Sequence, residues 1–311
     1  MKVGVIDLGT NTFNILIAEK TDNNSFNVLL NTKLPVMLAK EGLQDGNISK
    51  EAFNRAFNVL TKYKQTLNKY KCDKVVALGT SALRSAKNTN EFTNRVKKEL
   101  DINIELISGE QEAEYIYYGI RQSVDFTDEN YLILDIGGGS NEFIIANKNK
   151  LLWKHSFPLG GARLLNKFKP EDTITSKTIN LINEYLKQEL KLLNDILLKH
   201  PIKVLVGASG AFDTFADVIN YTKTDNPIQD SLISSFIDIK DFNEMYSTII
   251  KSSRQNRLLI KGLDEPRVDI IVMALIFTRI TIEIANINKI IQSTYSLKEG
   301  VAALLLNNTN R

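Results

Sequence analysis

The sequence is poor in the residues that build disulfides and structural metal sites. Its 311 residues include one cysteine, Cys72, and two histidines, His155 and His200. A single cysteine excludes an internal disulfide, and the histidines have no cysteine or carboxylate at ligand spacing, so a structural zinc site is not expected. Neither histidine has the neighbours of a nucleophilic constellation, so catalysis through a cysteine or histidine nucleophile is not expected either.

Long hydrophobic runs and a strong charge imbalance are also absent from the sequence. The most apolar later segment, residues 270–277, is far shorter than the roughly 20 residues that span a bilayer. The first apolar run meets Asp7 too early to be the core of a secretory signal peptide. The net charge of +3 gives no sign of a nucleic-acid or membrane-surface partner. We therefore expect a reduced, cytoplasmic protein.

With 43% hydrophobic and 24% charged residues, the chain has the composition of a globular protein of about two domains. Two of its stretches, VGVIDLGTNTFNIL near the start and LILDIGGGSNEF in the middle, repeat one pattern. The repeat pairs three residues at a constant offset of 128 (135 − 7): Asp7 with Asp135, Gly9 with Gly137, and Thr12 with Ser140. In both copies apolar, β-branched residues flank the small ones, so each turn is predicted to join two strands as a β-hairpin.

The small residues at the two hairpin tips predict phosphate binding. Glycine and hydroxyl residues let backbone N–H groups approach an anion closely. The candidate phosphate-binding residues are Gly9, Thr10, Asn11, Thr12, Gly137, Gly138, Gly139 and Ser140. Asp7 and Asp135 would add two carboxylates beside the phosphate, and carboxylates near phosphate need a cation. Mg²⁺ suits this role because it binds one or two carboxylates together with water and phosphate oxygens.

Other candidate residues stay ambiguous when only residue chemistry is considered. A capping box beginning at Ser108 predicts the start of a helix whose first turns carry Glu110, Glu112 and Glu114. Any of these three could be a general base, or could simply complement the helix dipole. Arg84 is predicted to lie in a turn after a strand, where its guanidinium could bind phosphate oxygens or form a surface salt bridge.

Apolar periodicity predicts further elements in the second half. It favours one long helix over residues 177–199 and a terminal helix over residues 297–306. A strand over residues 203–206 enters the glycine turn of residues 207–210 and then a helix, and the polar residues 220–231 are predicted to form a loop.

Eight stretches spread over nearly the whole chain carry a family resemblance: IDLGTNTFNILI from Ile6, ALGTSALRSAKN from Ala77, IELISGEQEAEYIYYGI from Ile104, LILDIGGGSNEF from Leu132, FPLGGARLLNKF from Phe157, LVGASGAFDTF from Leu205, PRVDIIV from Pro266 and YSLKEGV from Tyr295. Together they resemble the exopolyphosphatase/guanosine pentaphosphate phosphatase family (Ppx/GppA) in its short two-domain form. The hairpins alone indicate only the larger group with the actin-like ATPase fold, whereas ISGEQEAEYIYYG and TSALR are more specific.

The resemblance implies a fold class and a domain division. The fold is expected to be α/β, with two similar actin-like ATPase (ribonuclease H-like) domains that have mixed sheets flanked by helices and an interdomain cleft. Domain I would span residues 1–121 plus 296–311, and domain II would span residues 122–295. The terminal helix is therefore expected to pack on the first domain.

The resemblance also implies roles for individual residues. Glu112 matches the glutamate that positions the attacking water, and Arg84 is expected to offset charge on the transferred phosphate. Asp7 and Asp135 match the carboxylates that hold the divalent cation, Mg²⁺ or Mn²⁺, and Glu142 is expected to join the metal or water network. Gly207, Ser209 and Gly210 match a loop that meets a nucleoside in related ATPases, although a strand-to-helix glycine turn is often merely structural.

One departure from the family concerns Asn14, since many members have a basic residue at this position. The implied activity is hydrolysis that releases terminal orthophosphate from inorganic polyphosphate, from guanosine pentaphosphate, or from both. Two alternatives stay open: an ATP-dependent kinase or ATPase of the same fold, and a non-catalytic alarmone or phosphate sensor. The partner would be a polyphosphate or guanosine polyphosphate substrate, with no nucleic acid or membrane, and the sequence leaves open whether the chain forms a homodimer.

Overall fold

The structure, a computed structural model, describes residues 1–21, 25–38, 46–229 and 231–307. It divides into a first unit, Met1–Gln122 with Ser296–Arg311, and a second unit, Ser123–Tyr295. These units divide the chain after Gln122 and before Ser296, and the predicted domains, residues 1–121 plus 296–311 and residues 122–295, stay a prediction. Residues 308–311 of the predicted domain I, and residue 230 of the predicted loop, lie outside the described residues.

The first unit is built on a five-stranded mixed sheet. Its strands are β1 (Lys2–Leu8), β2 (Thr12–Lys20), β3 (Phe26–Pro35), β4 (Lys74–Gly79) and β5 (Ile104–Leu106). The strand order is β3-β2-β1-β4-β5, in which β1 runs antiparallel to β2 and parallel to β4. The apolar side chains of β1 and β2 are buried, which is why these segments have near-continuous runs of apolar residues rather than strict alternation.

Helices flank this sheet: α1 (Lys50–Tyr70), α2 (Ser81–Ser85), α3 (Thr89–Leu100), α4 (Gly109–Ile120) and α12 (Leu297–Asn307). The predicted capping box starts α4, because the Ser108 hydroxyl accepts from the Gln111 N–H and the Gln111 side chain accepts from the Ser108 N–H. The terminal helix α12 packs on α4 and β1, as predicted for the return of the chain to the first domain.

The second unit contains a six-stranded mixed sheet. Its strands are β6 (Tyr131–Ile136), β7 (Asn141–Ala146), β8 (Leu151–Phe157), β9 (Val204–Ala208), β10 (Ser234–Ile237) and β11 (Lys289–Ser293). The strand order is β10-β11-β9-β6-β7-β8. Around this sheet lie α5 (Gly161–Phe168), α6 (Ser176–Glu189), α7 (Lys191–Leu197), α8 (Gly210–Thr224), α9 (Ile239–Ile250), α10 (Arg254–Arg257) and α11 (Ile270–Ala285).

Both sheets repeat one topology around their hairpins. In each unit the first strand pairs antiparallel with the second, the second pairs antiparallel with the third, and the first pairs parallel with the fourth. The glycine turn of each copy therefore joins the first two strands, as the repeat predicted. Such a turn differs from a P-loop or Rossmann turn, which leads from a strand into a helix.

Three local predictions were wrong. The helix predicted over residues 177–199 is divided into α6 and α7 at Leu190, and periodicity cannot reveal this break because Leu186, Leu190 and Leu193 are all fully buried. Helix α8 extends to Thr224, so the first residues of the predicted polar loop are helical. Arg84 lies in the short helix α2 rather than in an open turn.

The described helices show no membrane-spanning candidate, since none of them combines the necessary length with sufficient hydrophobicity.

Candidate phosphate-binding and catalytic site

The turn of the first hairpin is closed by its own hydrogen bond and braced by the chain after β3. The Gly9 N–H donates to the Thr12 carbonyl at 3.1 Å, and a Cβ at Gly9 would lie only 2.9 Å from that oxygen. The amides of residues 36–38 donate to the carbonyls of Thr10 and Asn11 at 2.8–2.9 Å. The amides of Thr10 and Asn11 themselves donate to no backbone carbonyl in the described part of the chain.

The turn of the second hairpin has the same construction. The Gly137 N–H donates to the Ser140 carbonyl at 3.0 Å, and a Cβ at Gly137 would lie 2.6 Å from that oxygen. The carbonyls of the three glycines accept hydrogen bonds from residues 160–163, at the start of α5. Among the described residues, the amides of Gly138 and Gly139 donate to no backbone carbonyl.

The turn carbonyls that accept these hydrogen bonds fix the direction of the neighbouring N–H groups in both turns. In a trans peptide unit the C=O and N–H groups point in opposite directions. A carbonyl bonded on one side of the turn therefore directs the N–H of the next residue to the other side. Successive N–H groups with this orientation can form a concave site for an anion, and phosphate binding by the two turns stays a prediction.

Asp7 lies near the end of β1, opposite Asn14 on β2. The Asn14 Nδ2 donates to Asp7 Oδ2 at 2.9 Å, so the residue that departs from the family pattern is a partner of the predicted metal ligand. Burial raises the pKa of Asp7 from 3.8 to about 6. The positive charge of Lys298 and the Asn14 hydrogen bond lower this pKa, and the negative charge of Glu299 raises it.

Lys298 and Glu299 are site residues to which sequence reasoning gave no role. The Lys298 Nζ lies 3.0 Å from Glu299 Oε1, and the two side chains are 9% and 0% exposed. Glu299 also accepts from the Ser296 N–H at 2.9 Å and from the Asn31 Nδ2 at 3.4 Å. The available signal was a pair of adjacent opposite charges within an otherwise apolar terminal helix, in the YSLKEGV stretch.

In the second unit, two predicted metal ligands face each other across the hairpin. Asp135 on β6 is directly opposite Glu142 on β7, and Glu142 is the repeat counterpart of Asn14 (142 − 14 = 128). Glu142 is buried, and its Oε1 accepts from the Ser156 hydroxyl at 2.7 Å. Like charges directly opposite each other in a sheet are destabilising, so a cation bound by both carboxylates would stabilise the pair; their role as metal ligands stays a prediction.

These oxygen donors fit a hard cation such as Mg²⁺, which takes one or two protein carboxylates and completes its shell with water and phosphate oxygens. No three acidic, histidine or cysteine side chains converge as a metal-binding group within the residues that the structure describes. A cation here would therefore depend on substrate oxygens and water for most of its ligands.

The structure brings Arg84 and Glu112 together. The Arg84 Nη1 donates to the Ile107 carbonyl at 2.8 Å and to Glu112 Oε2 at 3.2 Å. Glu112 lies in the first turn of α4 and is 9% exposed as a whole residue, whereas Glu110 is exposed and Glu114 is partly exposed. Burial thus distinguishes Glu112 from its two competitors, and the salt bridge predicted as the alternative for Arg84 connects it to the candidate base.

The turn between β9 and α8 is held mainly by contacts within the second unit. Ser209 has a φ of +44°, which is uncommon for a residue with a side chain, and its hydroxyl donates to Asp213 at 3.2 Å. Gln292 also donates to Asp213, at 2.8 Å. A Cβ at Gly207 would lie 2.0 Å from the Phe212 ring, so Gly207 permits close packing. The strand-to-helix turn is observed, and the nucleoside contact of Gly207, Ser209 and Gly210 stays a prediction.

Each unit therefore carries a glycine turn and a carboxylate near the end of its first strand, within a mixed sheet of the same topology. These features define a protein of the actin-like α/β class, and the predicted class of two mixed sheets flanked by helices is confirmed. Residues 16–309 match the sequence model of the Ppx/GppA phosphatase family. The chain belongs to this family, as the resemblance implied.

Known proteins that match nearly the whole length of this chain support the family assignment. The crystal structure of an exopolyphosphatase from Cytophaga hutchinsonii has 37% sequence identity to this chain and superposes on it with a TM-score of 0.96. The match covers 99% of this chain and 98% of that chain. The Ppx/GppA family member of Aquifex aeolicus is 25% identical, with a TM-score of 0.85 and coverage of 100% and 99%. Exopolyphosphatase 1 of Mycobacterium tuberculosis has 22% sequence identity to this chain, in a match that covers 97% of this chain and 87% of the length of that protein.

Proposed function

We propose that this protein is an exopolyphosphatase-type hydrolase, which removes the terminal orthophosphate from inorganic polyphosphate, from guanosine pentaphosphate, or from both. The observation that carries the proposal is the Arg84–Glu112 pair in a chain of the Ppx/GppA family. The exopolyphosphatase of Cytophaga hutchinsonii shares the fold over 99% of the chain, which supports the proposal. The reaction consumes one water and yields orthophosphate and a chain shorter by one phosphate.

In the proposed mechanism, Glu112 orients the attacking water and accepts its proton. Arg84 holds Glu112 Oε2 in place, and it is itself fixed by the Ile107 carbonyl. The terminal P–O–P bond breaks as the water oxygen bonds to phosphorus, and the shortened chain leaves with the bridging oxygen. Such phosphoryl transfers need little covalent help from the protein, because positioning and charge neutralisation supply most of the rate enhancement.

Each hairpin turn would bind phosphate through its N–H groups, those of Thr10 and Asn11 in the first unit and those of Gly138 and Gly139 in the second. The carboxylates of each hairpin, Asp7 in the first unit and Asp135 with Glu142 in the second, would be the ligands of Mg²⁺ or Mn²⁺. The bound cation would neutralise charge on the phosphate oxygens, as in other phosphoryl-transfer enzymes. Backbone donors that are oriented before the substrate arrives need no reorganisation when charge develops in the transition state.

The decisive experiment compares orthophosphate release, with Mg²⁺ present, from polyphosphate, guanosine pentaphosphate and ATP. We expect release from one or both of the first two, and we expect Glu112→Gln to lower kcat by about a thousandfold because general-base catalysis contributes on this scale. Glu110→Gln is the matched control, since Glu110 lies exposed on the same helical turn. Release from ATP alone would indicate the kinase or ATPase alternative, and no release from any substrate would favour the sensor.

Variants of the carboxylate pair in the second unit test metal dependence separately. We expect Asp135→Asn and Glu142→Gln to raise the Mg²⁺ concentration needed for half-maximal activity by about tenfold or more, since each removes a charged ligand. Mn²⁺ binding by calorimetry gives a readout that is independent of turnover. Unchanged Mn²⁺ affinity in both variants would contradict the assigned ligands.

A further inference from the structure

The second glycine turn is held from behind by the segment that enters α5. This segment, residues 159–163, comes from the FPLGGAR stretch, to which the proposed mechanism assigns no role. The hydrogen bonds are Gly161 N to Gly137 O (2.9 Å), Ala162 N to Gly138 O (3.0 Å), Arg163 N to Gly138 O (3.1 Å), Gly160 N to Gly139 O (3.3 Å) and Arg163 Nε to Gly139 O (3.1 Å). All three glycine carbonyls are thus occupied.

A buried side chain attaches the same segment to the strand after the turn. Asn141 is 0% exposed, and its Nδ2 donates to the Leu159 carbonyl at 2.9 Å. Asn141 directly follows Ser140, the last residue of the turn. The segment is therefore linked to the turn at the glycine carbonyls and at the base of β7.

The helix N-terminus contributes its donors to the turn rather than to a ligand. The first N–H groups of an α-helix have no partner within the helix. In α5, the N–H groups of Gly161, Ala162 and Arg163 donate to the glycine carbonyls. Because hydrogen bonds in a chain polarise one another, these bonds also strengthen the N–H groups on the opposite side of the turn as donors.

Gly160 allows the close approach on which this arrangement depends. A Cβ at Gly160 would lie 2.4 Å from the Gly138 carbonyl carbon and 2.5 Å from its oxygen. Both are backbone atoms of the turn, so a larger residue must displace the turn itself. Gly161 differs, because a Cβ there would meet the Ile270 side chain at 3.1 Å.

We propose that Arg163 and Gly160 are positioning residues of the second phosphate turn, which hold its peptide units so that their N–H groups face the phosphate. Arg163 acts through its Nε bond to the Gly139 carbonyl, and Gly160 acts by leaving room for the segment against the turn. This inference rests on the proposed phosphate-binding role of the turn. It predicts that changes behind the turn weaken phosphate binding without altering any group that touches the substrate.

The test compares Arg163→Met, Arg163→Lys and Gly160→Ala with the control Lys167→Met. Lys167 lies one turn further along the same helix, and its Nζ lies 4.4 Å from the centroid of the Tyr185 ring. We expect Arg163→Met to lower kcat/KM by about tenfold, the scale of one charge-assisted hydrogen bond. Arg163→Lys should lower kcat/KM less than Arg163→Met does.

Gly160→Ala should lower kcat/KM by about a hundredfold, as displacement of catalytic groups by about 1 Å does. Gly161→Ala should lower kcat/KM less than Gly160→Ala does. Lys167→Met should match the wild type.

Calorimetric binding of inorganic pyrophosphate separates this inference from the proposed function. If the wild type releases no orthophosphate from any substrate, the proposed hydrolase fails, but weaker pyrophosphate binding in Arg163→Met than in Lys167→Met still supports the inference. Wild-type pyrophosphate affinity in both Arg163→Met and Gly160→Ala overturns it, even if the variants melt at lower temperature. Wild-type failure to bind pyrophosphate at all also overturns it, because the turn then has no phosphate to position.

Discussion

At the residue scale, Asp7 couples the stability of the protein to pH. Its pKa is raised from 3.8 to about 6, chiefly because burial removes the hydration of the carboxylate. Between these values the folded protein retains a proton that the unfolded chain has released. Stability therefore falls as the pH rises through this window, and it becomes independent of this group above about pH 6. Lys298 and Asn14 offset only part of the burial effect.

We expect Asp7→Asn to remove this dependence in the metal-free protein. With EDTA present, the wild type should lose stability relative to the variant as the pH rises from 3.8 towards 6, and the difference should be constant above that pH. Urea unfolding at a series of pH values measures the difference. Added Mg²⁺ should reduce the slope if Asp7 is a ligand, because a cation favours the carboxylate. A difference that does not vary with pH in EDTA would contradict the raised pKa.

At the element scale, a pair of glycines sets the distance between α4 and α12. A Cβ at Gly119 would lie 1.9 Å from the Ser296 carbonyl oxygen, and a Cβ at Gly300 would lie 1.9 Å from the Tyr115 carbonyl oxygen. The helices thus meet backbone to backbone. This contact matters for the site because α4 carries Glu112 and α12 carries the buried Lys298–Glu299 pair.

Substituting Gly300 should therefore be costly. We expect Gly300→Ala to lower the free energy of unfolding by about 3 kcal/mol or more, because overpacking against backbone cannot be relieved by a change of rotamer. Ala302→Gly on the same helix is the control for helix propensity, with an expected loss of about 1–2 kcal/mol. Equilibrium unfolding in urea measures both variants. A smaller loss for Gly300→Ala than for the control would show that the two helices can separate easily.

At the scale of the whole molecule, the two units differ in how the chain builds them. The second unit is one continuous segment, Ser123–Tyr295, with a complete six-stranded sheet and a hydrophobic core of its own. The first unit is made from two separated segments, because α12 comes from the other end of the chain. A domain with its own core can fold alone, whereas one that lacks a packed helix exposes apolar surface.

This difference predicts how fragments behave. We expect residues 123–295 to fold as an isolated soluble domain with a cooperative thermal transition. We expect residues 1–122 alone to lack such a transition, and residues 296–311 joined to them by a flexible linker to restore it. Circular dichroism during heating measures all three fragments. Cooperative unfolding of residues 1–122 alone would show that α12 is dispensable for the first unit.

The site could be predicted from sequence only as far as its local parts. The turns, the hairpins and the capping box at Ser108 depend on residues close in sequence, and the structure contains all of them. The choice among Glu110, Glu112 and Glu114 could not be made from residue chemistry, because α4 places all three near the helix start and only tertiary burial separates them. The environment of Asp7 could not be predicted either, since Lys298 lies 291 residues away (298 − 7).

The sequence by itself determined the repeated hairpins, the alternation of strands and helices, and the family to which the chain belongs. These properties follow from near-neighbour patterns: small residues permit tight turns, and apolar periodicity follows the repeat of each element. Only the tertiary structure decided that Arg84 holds Glu112, that the charges of the buried Lys298 and Glu299 act on Asp7, and that α5 holds the second turn through its carbonyls. Such contacts join segments distant in sequence, so they are set by how the sheets and helices pack and leave no periodic signal in the chain.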